Sequence, residues 1–379
     1  MTRRLTEERL RRLTLKRQFP AIRGRGVPAI RELYHRLGPI QTQVPRAAHV
    51  SLAARLPCVS NAAITRAFET NAVVKATNIR GTVHTSTAEQ HEWLAAVAVH
   101  PRTLLLRNYL GLERVDPAEI TDEVERFTQG EWRERKAVVD HVRGWLLEHD
   151  SPASAGALRG TGPESLIWGH AALIRRPRDE RWDKRTDVWH RNGAALLPRT
   201  GIGAHDATKN LVRVHLGAYG PATRRDIAWW MGSRLTVVDR AVADLGDEVV
   251  RLEGVDGITY LDLAQPPRGT LADPGLRLLP EFDGLLLGYE GTARGRFAQL
   301  EHLDRLWARV NGLFSPAVLH EGRIVACWRI LTKGRRQDVQ VDMLPGHPRP
   351  PDDLFAAPIE DLKNALDLEI TDLRVLDAD

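Results

Sequence analysis

The chain has 379 residues, enough for two or three modules with sizeable cores. Its 42% apolar and 27% charged residues are the balance of an ordinary globular protein, and a net charge of +5 with a pI near 9.4 suits a polyanionic partner. Because only two cysteines are present and no apolar run approaches about 18 residues, composition excludes a disulfide framework, a cysteine zinc site and a membrane span. The charged N-terminus leads into an amphipathic run without a signal-peptide core, so we expect a cytoplasmic protein.

The first third of the chain predicts helices followed by two short strands. Amphipathic and helical runs cover residues 6–18, 27–37, 49–56 and 61–69, and valine-rich runs bounded by turn residues cover 72–77 and 81–85. Helices followed by a two-stranded wing are the order of a winged-helix unit, a variant of the helix-turn-helix. We therefore assign residues 1–134 to a first winged-helix unit with additional helices.

The same order recurs in residues 135–204. The predicted elements are helices over 137–148 and 164–170, a Ser/Pro/Gly turn at 151–156, and strands near 173–176 and 185–189. This recurrence predicts a second winged-helix unit.

Residues 205–264 carry the clearest helix-turn-helix pattern. The predicted elements are helices over 208–216, 223–230 and 236–245, then a hairpin with strands over 248–252 and 258–263. Thr223 and Asp226 have the spacing of a capping box that opens the middle helix, and Gly232 is placed to end it. Such a unit can read DNA or serve as a protein scaffold, and the sequence leaves both roles open.

A Pro- and Gly-rich linker at 265–269 separates a C-terminal region of different character. Its short apolar runs cover 276–279, 283–287, 316–319, 324–330 and 338–343, before a helix near 353–366 and a final strand. We assign residues 265–379 to a small β-barrel or β-rich domain. The predicted fold class is therefore α+β, with three tandem winged-helix units plus this C-terminal domain.

Two glutamines flank a single residue at Gln41-Thr42-Gln43, between two predicted helices. In an extended segment, residues i and i+2 point the same way, so the two carboxamides are expected to face one point. A pair that only caps a helix or lies on a surface is the alternative, and the spacing by itself does not decide between them.

The sequence lacks the motifs of several common enzyme classes. No P-loop, complete dinucleotide fingerprint, Gly-x-Ser-x-Gly elbow, His-Glu-x-x-His or Cys-x-x-Cys pattern occurs. The motifs therefore give no support to a kinase, a dehydrogenase, a serine hydrolase or a zinc enzyme. We expect neither a cofactor nor a metal ion.

Six short strings, in order along nearly the whole chain, resemble those of the AlkZ/YcaQ-like DNA glycosylases. They are residues 40–46 with the Gln-x-Gln pair, 78–84, 219–223, 278–283, 286–289, and 321–323 leading to Trp328-Arg329. The resemblance implies three tandem winged-helix units, a C-terminal β-rich domain, and a catalytic Gln-x-Gln or Gln-x-Asp motif with an apolar middle residue. Gln43 is similar to the AlkZ branch, whereas Thr42 departs from the apolar middle position.

The resemblance further implies a monofunctional DNA glycosylase for alkylated purines, with Gln41 and Gln43 as catalytic residues. An N7-alkylated guanine is cationic and leaves as a neutral base, so the site has to place a water beneath C1′ and stabilise an oxocarbenium-like sugar. Neutral glutamine carbonyls can do both. Interstrand cross-links as substrates, self-resistance to a DNA-alkylating natural product and a Schiff-base lyase reaction at Lys75 stay open.

Further residues are candidates for contacts with DNA or the lesion, because they combine suitable side chains with wing, helix-start or hairpin positions. They are Arg46, Arg80, Thr82, His84, Arg224, Arg225, Lys333, Arg335 and Arg336. An ion pair within the protein is the alternative for Arg46 and Arg80. The expected partner is double-stranded DNA that contains alkylated purines. We expect the protein to be a monomer and to bind the lesion on an open concave surface.

A transcriptional regulator without catalysis is the main competing hypothesis, and a protein-binding scaffold is a third. A regulator usually binds a palindrome as a symmetric dimer. The sequence has no evident coiled-coil dimerisation helix, and a regulator would leave the glutamine pair without a purpose. Binding to DNA that depends on a lesion and not on sequence would favour the glycosylase.

Overall fold

The computed structural model describes residues 4–267, 274–308, 312–333 and 336–378. Arg335 lies outside the described residues, and for Lys333 and Arg336 only the backbone is described. Helices and strands both contribute to the fold, so the α+β class that the sequence predicts is confirmed.

The first segment begins with helices and ends with a strand pair and two more helices. Its elements are α1 (Glu7–Gln18), α2 (Val27–Leu37), β1 (Ile40–Gln41), α3 (Ala47–Arg55), α4 (Asn61–Glu69), β2 (Val73–Thr77), β3 (Val83–Thr87), α5 (Ala88–Leu110) and α6 (Pro117–Phe127). The predicted helices and both predicted strands are confirmed within a few residues, while α5 and α6 were not assigned from the sequence. Thr87 and Gln90 form a capping box that opens α5, and left-handed Gly111 ends it.

The second segment adds strands to the same sheet. Its elements are β4 (Arg133–Glu134), α7 (Arg135–His149), α8 (Pro152–Ala157), α9 (Thr161–Trp168), β5 (Leu173–Pro177) and β6 (Asp187–Asn192). The turn predicted at 151–156 is wrong, because Ser151 accepts a hydrogen bond from the Ser154 backbone N–H and Pro152 starts the helix α8. Six strands pair antiparallel in the order β1-β3-β2-β5-β6-β4, so one sheet joins the first two segments.

The third segment, residues 204–263, consists of three helices and a hairpin. Its elements are α10 (Ala204–Tyr219), α11 (Arg224–Met231), α12 (Leu235–Leu245), β7 (Val249–Glu253) and β8 (Thr259–Leu263). The capping box of Thr223 and Asp226 is confirmed at the start of α11. Gly232 ends α11 with a φ of 64°, as its position predicts.

The C-terminal segment is built on an open sheet. Its elements are β9 (Arg277–Leu279), α13 (Gly284–Leu287), α14 (Leu303–Leu306), β10 (Trp307–Ala308), β11 (Leu313–Phe314), β12 (Ala317–His320), β13 (Arg323–Lys333), β14 (Arg336–Met343), α15 (Ala356–Leu366) and β15 (Ile370–Leu376). The apolar run at 283–287 is a helix, because Asp283 caps it by accepting from the Leu285 backbone N–H.

This sheet does not close into the small barrel that was one of the two predicted forms. Its described strands pair in the order β15-β14-β13-β12-β9, and β9 and β15 are separate edges. The chain returns from β14 through α15, which places β15 parallel to β14 at one edge instead of against β9. The β-rich alternative therefore describes the segment.

Two large cores bring distant parts of the chain together around the glutamine pair. One core packs α2, α3 and α4 against the C-terminal sheet and includes Ile40 and Trp328. The other packs the third segment against α13 and its flanks and includes Tyr219, and Val44 lies against it. The connection that contains Gln41 thus runs between the two cores. Within the described ranges, no helix is long and apolar enough to cross a membrane.

Candidate active site

The two glutamines lie on and directly after β1, an edge strand of the six-stranded sheet. Gln41 stands opposite His84 of β3 and is only 8% exposed. Its Oε1 accepts a hydrogen bond from Arg80 Nη2 at 2.9 Å. Gln43 is exposed, and its Oε1 accepts from the Val83 backbone N–H at 3.0 Å. Gln41 therefore contacts the connection between β2 and β3, and Gln43 contacts the first residue of β3, but only Gln41 is buried.

Thr42, between the two glutamines, is buried with a hydrogen-bond partner. Its hydroxyl lies 3.0 Å from the hydroxyl of Thr85, and its backbone N–H donates to the Val83 carbonyl at 2.8 Å. A buried hydroxyl that is hydrogen-bonded avoids most of the cost of desolvation. This pairing explains how a polar residue fits the middle position of the motif.

Arg80 joins Gln41 to the third segment. Its guanidinium donates through Nη2 to Gln41 and through Nη1 to the Trp230 carbonyl, and it lies 5.0 Å from the ring centre of Trp229. Burial, with a smaller contribution from the nearby charge of Arg294, lowers the pKa of Arg80 to about 10. The guanidinium therefore remains a cation near neutral pH.

Hydrogen-bond chemistry fixes the orientation of both carboxamides. An arginine N–H and a backbone N–H can only donate. The atom of Gln41 that faces Arg80 and the atom of Gln43 that faces Val83 are therefore oxygens. Each oxygen keeps a second lone pair for a water or substrate donor, and each NH₂ group is left as a donor.

His84 lies beside Gln41 as a neutral imidazole. Its Nδ1 is 3.0 Å from the Thr82 carbonyl oxygen, which can only accept, so Nδ1 carries the proton and Nε2 keeps its lone pair. Burial, and then the charge of Arg80, lowers the pKa of His84 to about 3. Near neutral pH, His84 is thus an acceptor and not a cation.

A cavity of about 20 Å³ lies against Gln41, where the first, third and C-terminal segments meet. Arg80, His84 and Tyr219 also line it, whereas Gln43 is not among its lining residues. A volume of at least about 10–15 Å³ with several polar partners is enough to hold one water. The cavity is therefore of the right size and polarity for a single water beside Gln41.

A buried ion pair at the wall of this cavity was not assigned from the sequence. Arg55 Nη2 donates to Asp283 Oδ1 at 2.9 Å, and the two side chains are 1% and 3% exposed. Arg55 Nη2 also lies 3.3 Å from Gln18 Oε1. Asp283 ends the string at 278–283 that carries part of the resemblance, which was the only signal in the sequence for its importance.

Three cationic candidates lie away from the cavity. Arg46 donates to Glu281 Oε1 from Nε at 2.9 Å and from Nη2 at 2.5 Å, so the ion pair expected as its alternative is present. Arg224 lies at the start of α11, whereas Trp230 lies near the end of that helix. Arg224 Nη1 donates to Asp239 at 2.7 Å. Arg225 is exposed beside it.

The other candidates divide between the wing and the hairpin of β13 and β14. The Thr82 hydroxyl lies 3.4 Å from the Ile79 carbonyl and is half-buried. The backbones of Lys333 and Arg336 are paired between β13 and β14, and Arg335 lies outside the described residues.

Lys75 is 2% exposed within β2, with Nζ 3.8 Å from Asp187, and it does not line the cavity. This burial gives no support to a Schiff base at Lys75.

Comparison with known proteins relates this geometry to a family. A family model described as "DNA glycosylase AlkZ-like" matches residues 35–374. The chain belongs to the AlkZ-like DNA glycosylase family. It is therefore a DNA-repair enzyme of the glycosylase class, as the sequence resemblance predicts.

A curated sequence and a solved structure, both from Streptomyces sahachiroi, are similar to this AlkZ-like glycosylase. A protein named interstrand DNA cross-link repair glycosylase is 26% identical over 336 residues, which cover 84% of this chain and 86% of the relative. The solved structure of the DNA glycosylase AlkZ matches with a TM-score of 0.79 at 20% identity, over 99% of this chain and 100% of that one. The second likeness shows that the fold is shared.

Acidification is expected to destabilise this AlkZ-like glycosylase, because buried histidines are held neutral in its fold. Burial lowers the pKa of His84 to about 3 and that of His91 to about 4, against about 6.5 in an unfolded chain. Since these folded-state pKa values are depressed, stability is complete above about pH 6.5 and falls towards pH 4, by up to about 1.4 kcal/mol per pH unit for each histidine.

Thermal unfolding between about pH 7.5 and about pH 5 measures this effect. The midpoint should fall with pH, and the His91→Gln variant should show a weaker dependence. His205→Gln serves as a control, because its side chain is 46% exposed. A wild-type midpoint that does not change over this range would contradict the prediction.

Proposed function

We propose that this AlkZ-like glycosylase hydrolyses the N-glycosidic bond of alkylated purines in double-stranded DNA, with Gln41 and Gln43 as its catalytic residues. The observation that carries the proposal is the buried Gln41 carboxamide, which Arg80 holds beside neutral His84 and a cavity of water size. None of the described residues that line this cavity is a carboxylate or a lysine. Such a site suits a reaction that needs a positioned water but little acid or base strength.

An N7-alkylated guanine satisfies this requirement. Its cationic base leaves as a neutral molecule, so no acid has to protonate the leaving group, and positive charge develops on the sugar as the bond breaks. The free lone pair of the Gln41 oxygen accepts from the attacking water, which adds to C1′ as the base leaves and loses its proton to solvent. The Gln43 carboxamide faces the sugar from the exposed side. Without an acid to protonate the leaving base, normal purines, which would have to leave as anions, react slowly.

The exposure of Gln43 supports bulky lesions as substrates. A base with a large adduct cannot enter a closed pocket, whereas an exposed carboxamide next to a buried one can act at an open surface. A relative is named an interstrand DNA cross-link repair glycosylase, so we include cross-links in the proposed substrates. The family resemblance adds self-resistance to a DNA-alkylating natural product as the proposed physiological role.

We propose that three tandem winged-helix units bind the DNA. We also propose that the protein acts as a monomer in the cytoplasm and needs no cofactor. The third segment has the order of three helices and a hairpin that defines such a unit. Arg224 and Arg225 at the start of α11 are exposed cations that suit phosphate contacts. Phosphate contacts set affinity without sequence preference, as a repair enzyme requires.

Incubation with duplex DNA that carries one N7-methylguanine tests the proposed function. Wild-type protein should release the base and leave an abasic site that hot alkali converts to a strand break, whereas the same duplex with guanine should stay intact. A duplex with a bulkier N7-alkyl group and one with an interstrand cross-link define the substrate range. Binding to all of these duplexes without release from any would contradict the proposal.

A further inference from the structure

Arg80 makes contacts within the protein that a surface arginine would not need if it only bound a DNA phosphate. One arm of its guanidinium donates to Gln41 Oε1 at 2.9 Å, and the other donates to the Trp230 carbonyl at the end of α11. Its face lies over the ring of Trp229, 5.0 Å from the ring centre. The side chain thus joins β1, which carries Gln41, to a helix of the third segment.

The backbone on both sides of this junction is shaped for the contact. Arg80 has a φ of 56°, in the left-handed region that a residue with a Cβ seldom adopts. Gly232, with a φ of 64°, approaches so closely that a Cβ there would lie 3.0 Å from Arg80 Cγ and 3.2 Å from Arg80 N. Strained backbone of this kind persists where surrounding structure holds it, often at functional sites.

The charge of Arg80 is not used in an ion pair. Among the described residues, its partners are a carbonyl, a carboxamide and an aromatic face, and no carboxylate lies within ion-pair distance. Arg55, in the same cavity wall, has Asp283 as its counter-ion. An arginine fork offers donors in a fixed plane, so two neutral acceptors can hold it in one orientation.

We infer that Arg80 is a positioning residue for the reaction, because it fixes the Gln41 carboxamide while the end of α11 fixes Arg80. The inference rests on the catalytic role of Gln41 proposed above. It makes base release depend on the packing of the third segment against the first, although both proposed catalytic glutamines lie in the first segment. Arg80 is thereby assigned to the orientation of Gln41 and not to contact with DNA.

The Arg80→Met variant separates the two roles. Methionine keeps an apolar side chain over Trp229 but donates no hydrogen bond, so Gln41 loses its orientation. Misplacing a reacting group by about 1 Å can cost about 10²-fold in rate. We expect a loss of about this size in the single-turnover rate at saturating enzyme, with the Kd for lesion-containing duplex changed by less than about threefold.

A double-variant comparison tests whether Arg80 acts through Gln41. In the Gln41→Ala background, Arg80→Met should lower the residual rate by less than about threefold, because the group that it positions is already gone. Arg80→Lys should be nearly as slow as Arg80→Met, since an ammonium cannot reproduce the fork, although it would preserve a phosphate contact. Arg102→Met is the control, because Arg102 lies beside Gly81 and donates to Ser165 instead of Gln41.

Several results would overturn the inference. They are an unchanged rate in Arg80→Met, full activity in Arg80→Lys, equal losses with and without Gln41, or a weakened Kd with an unchanged saturating rate. If Arg80→Met does not fold by circular dichroism, the lysine variant and the Kd comparison decide. If Gln41→Ala itself keeps full activity, the proposed function fails first, which distinguishes that failure from one of Arg80 alone.

Discussion

Replacing Gln41 with alanine is expected to lower the single-turnover rate of base release by about 10²- to 10³-fold, the usual cost of removing one positioned group that stabilises a transition state. The carboxamide lies at the cavity wall and faces Arg80, so its loss removes the acceptor that we propose for the attacking water. The fold should persist, because Gln41 belongs to neither of the two large apolar cores. Rates on N7-methylguanine duplex, together with the Kd for the same DNA, measure the effect.

Gln43→Ala should also slow release while DNA binding remains, since the Gln43 side chain is exposed and its carboxamide oxygen accepts a hydrogen bond from the Val83 backbone N–H. Gln299→Ala is a matched control, because Gln299 is an exposed glutamine that does not line the cavity. Parallel losses of binding and rate in the Gln41 and Gln43 variants would instead assign the pair a structural role.

Elements with local signals could be predicted from the sequence. The capping box of Thr223 and Asp226 and the left-handed Gly232 define α11 within a few residues, and the structure has both. Helix α5 was missed because Pro101 lies inside it, where a proline usually interrupts a helix. That helix packs against α6, α9 and α10, so its apolar residues are not confined to one face.

Features that depend on distant contacts could not be predicted. The alternation of apolar residues is the same in an open sheet and in a barrel, because closure depends on whether the edge strands meet. In the candidate site, spacing and resemblance singled out Gln41, but its surroundings come from elsewhere. Arg80 reaches Trp230 across 150 positions, and Arg55 reaches Asp283 across 228.

A large loss of stability is expected when Asp262 on β8 is replaced. Arg17 of α1 donates to both of its carboxylate oxygens at 2.8 Å and also to the Leu216 carbonyl, and the two side chains are 3% and 7% exposed. A Cβ on the adjacent Gly220 would lie 2.4 Å from Arg17 Nη1 and 2.8 Å from Asp262 Oδ1, so the ion pair packs directly against the Gly220 backbone. Asp262→Ala leaves the guanidinium buried without a counter-ion, which typically costs about 3–5 kcal/mol.

Chemical unfolding of Asp262→Ala against wild type measures this cost. Asp239→Ala is the matched control, because its partner Arg224 is 53% exposed and such a surface pair contributes only about 0–1 kcal/mol. Replacing both partners, as Arg17→Met with Asp262→Leu, should recover much of the loss, since the damage comes from the unpaired charge and not from the missing attraction. Equal free energies of unfolding for Asp262→Ala and Asp239→Ala would show that the buried Arg17–Asp262 pair adds no more stability than an exposed surface pair.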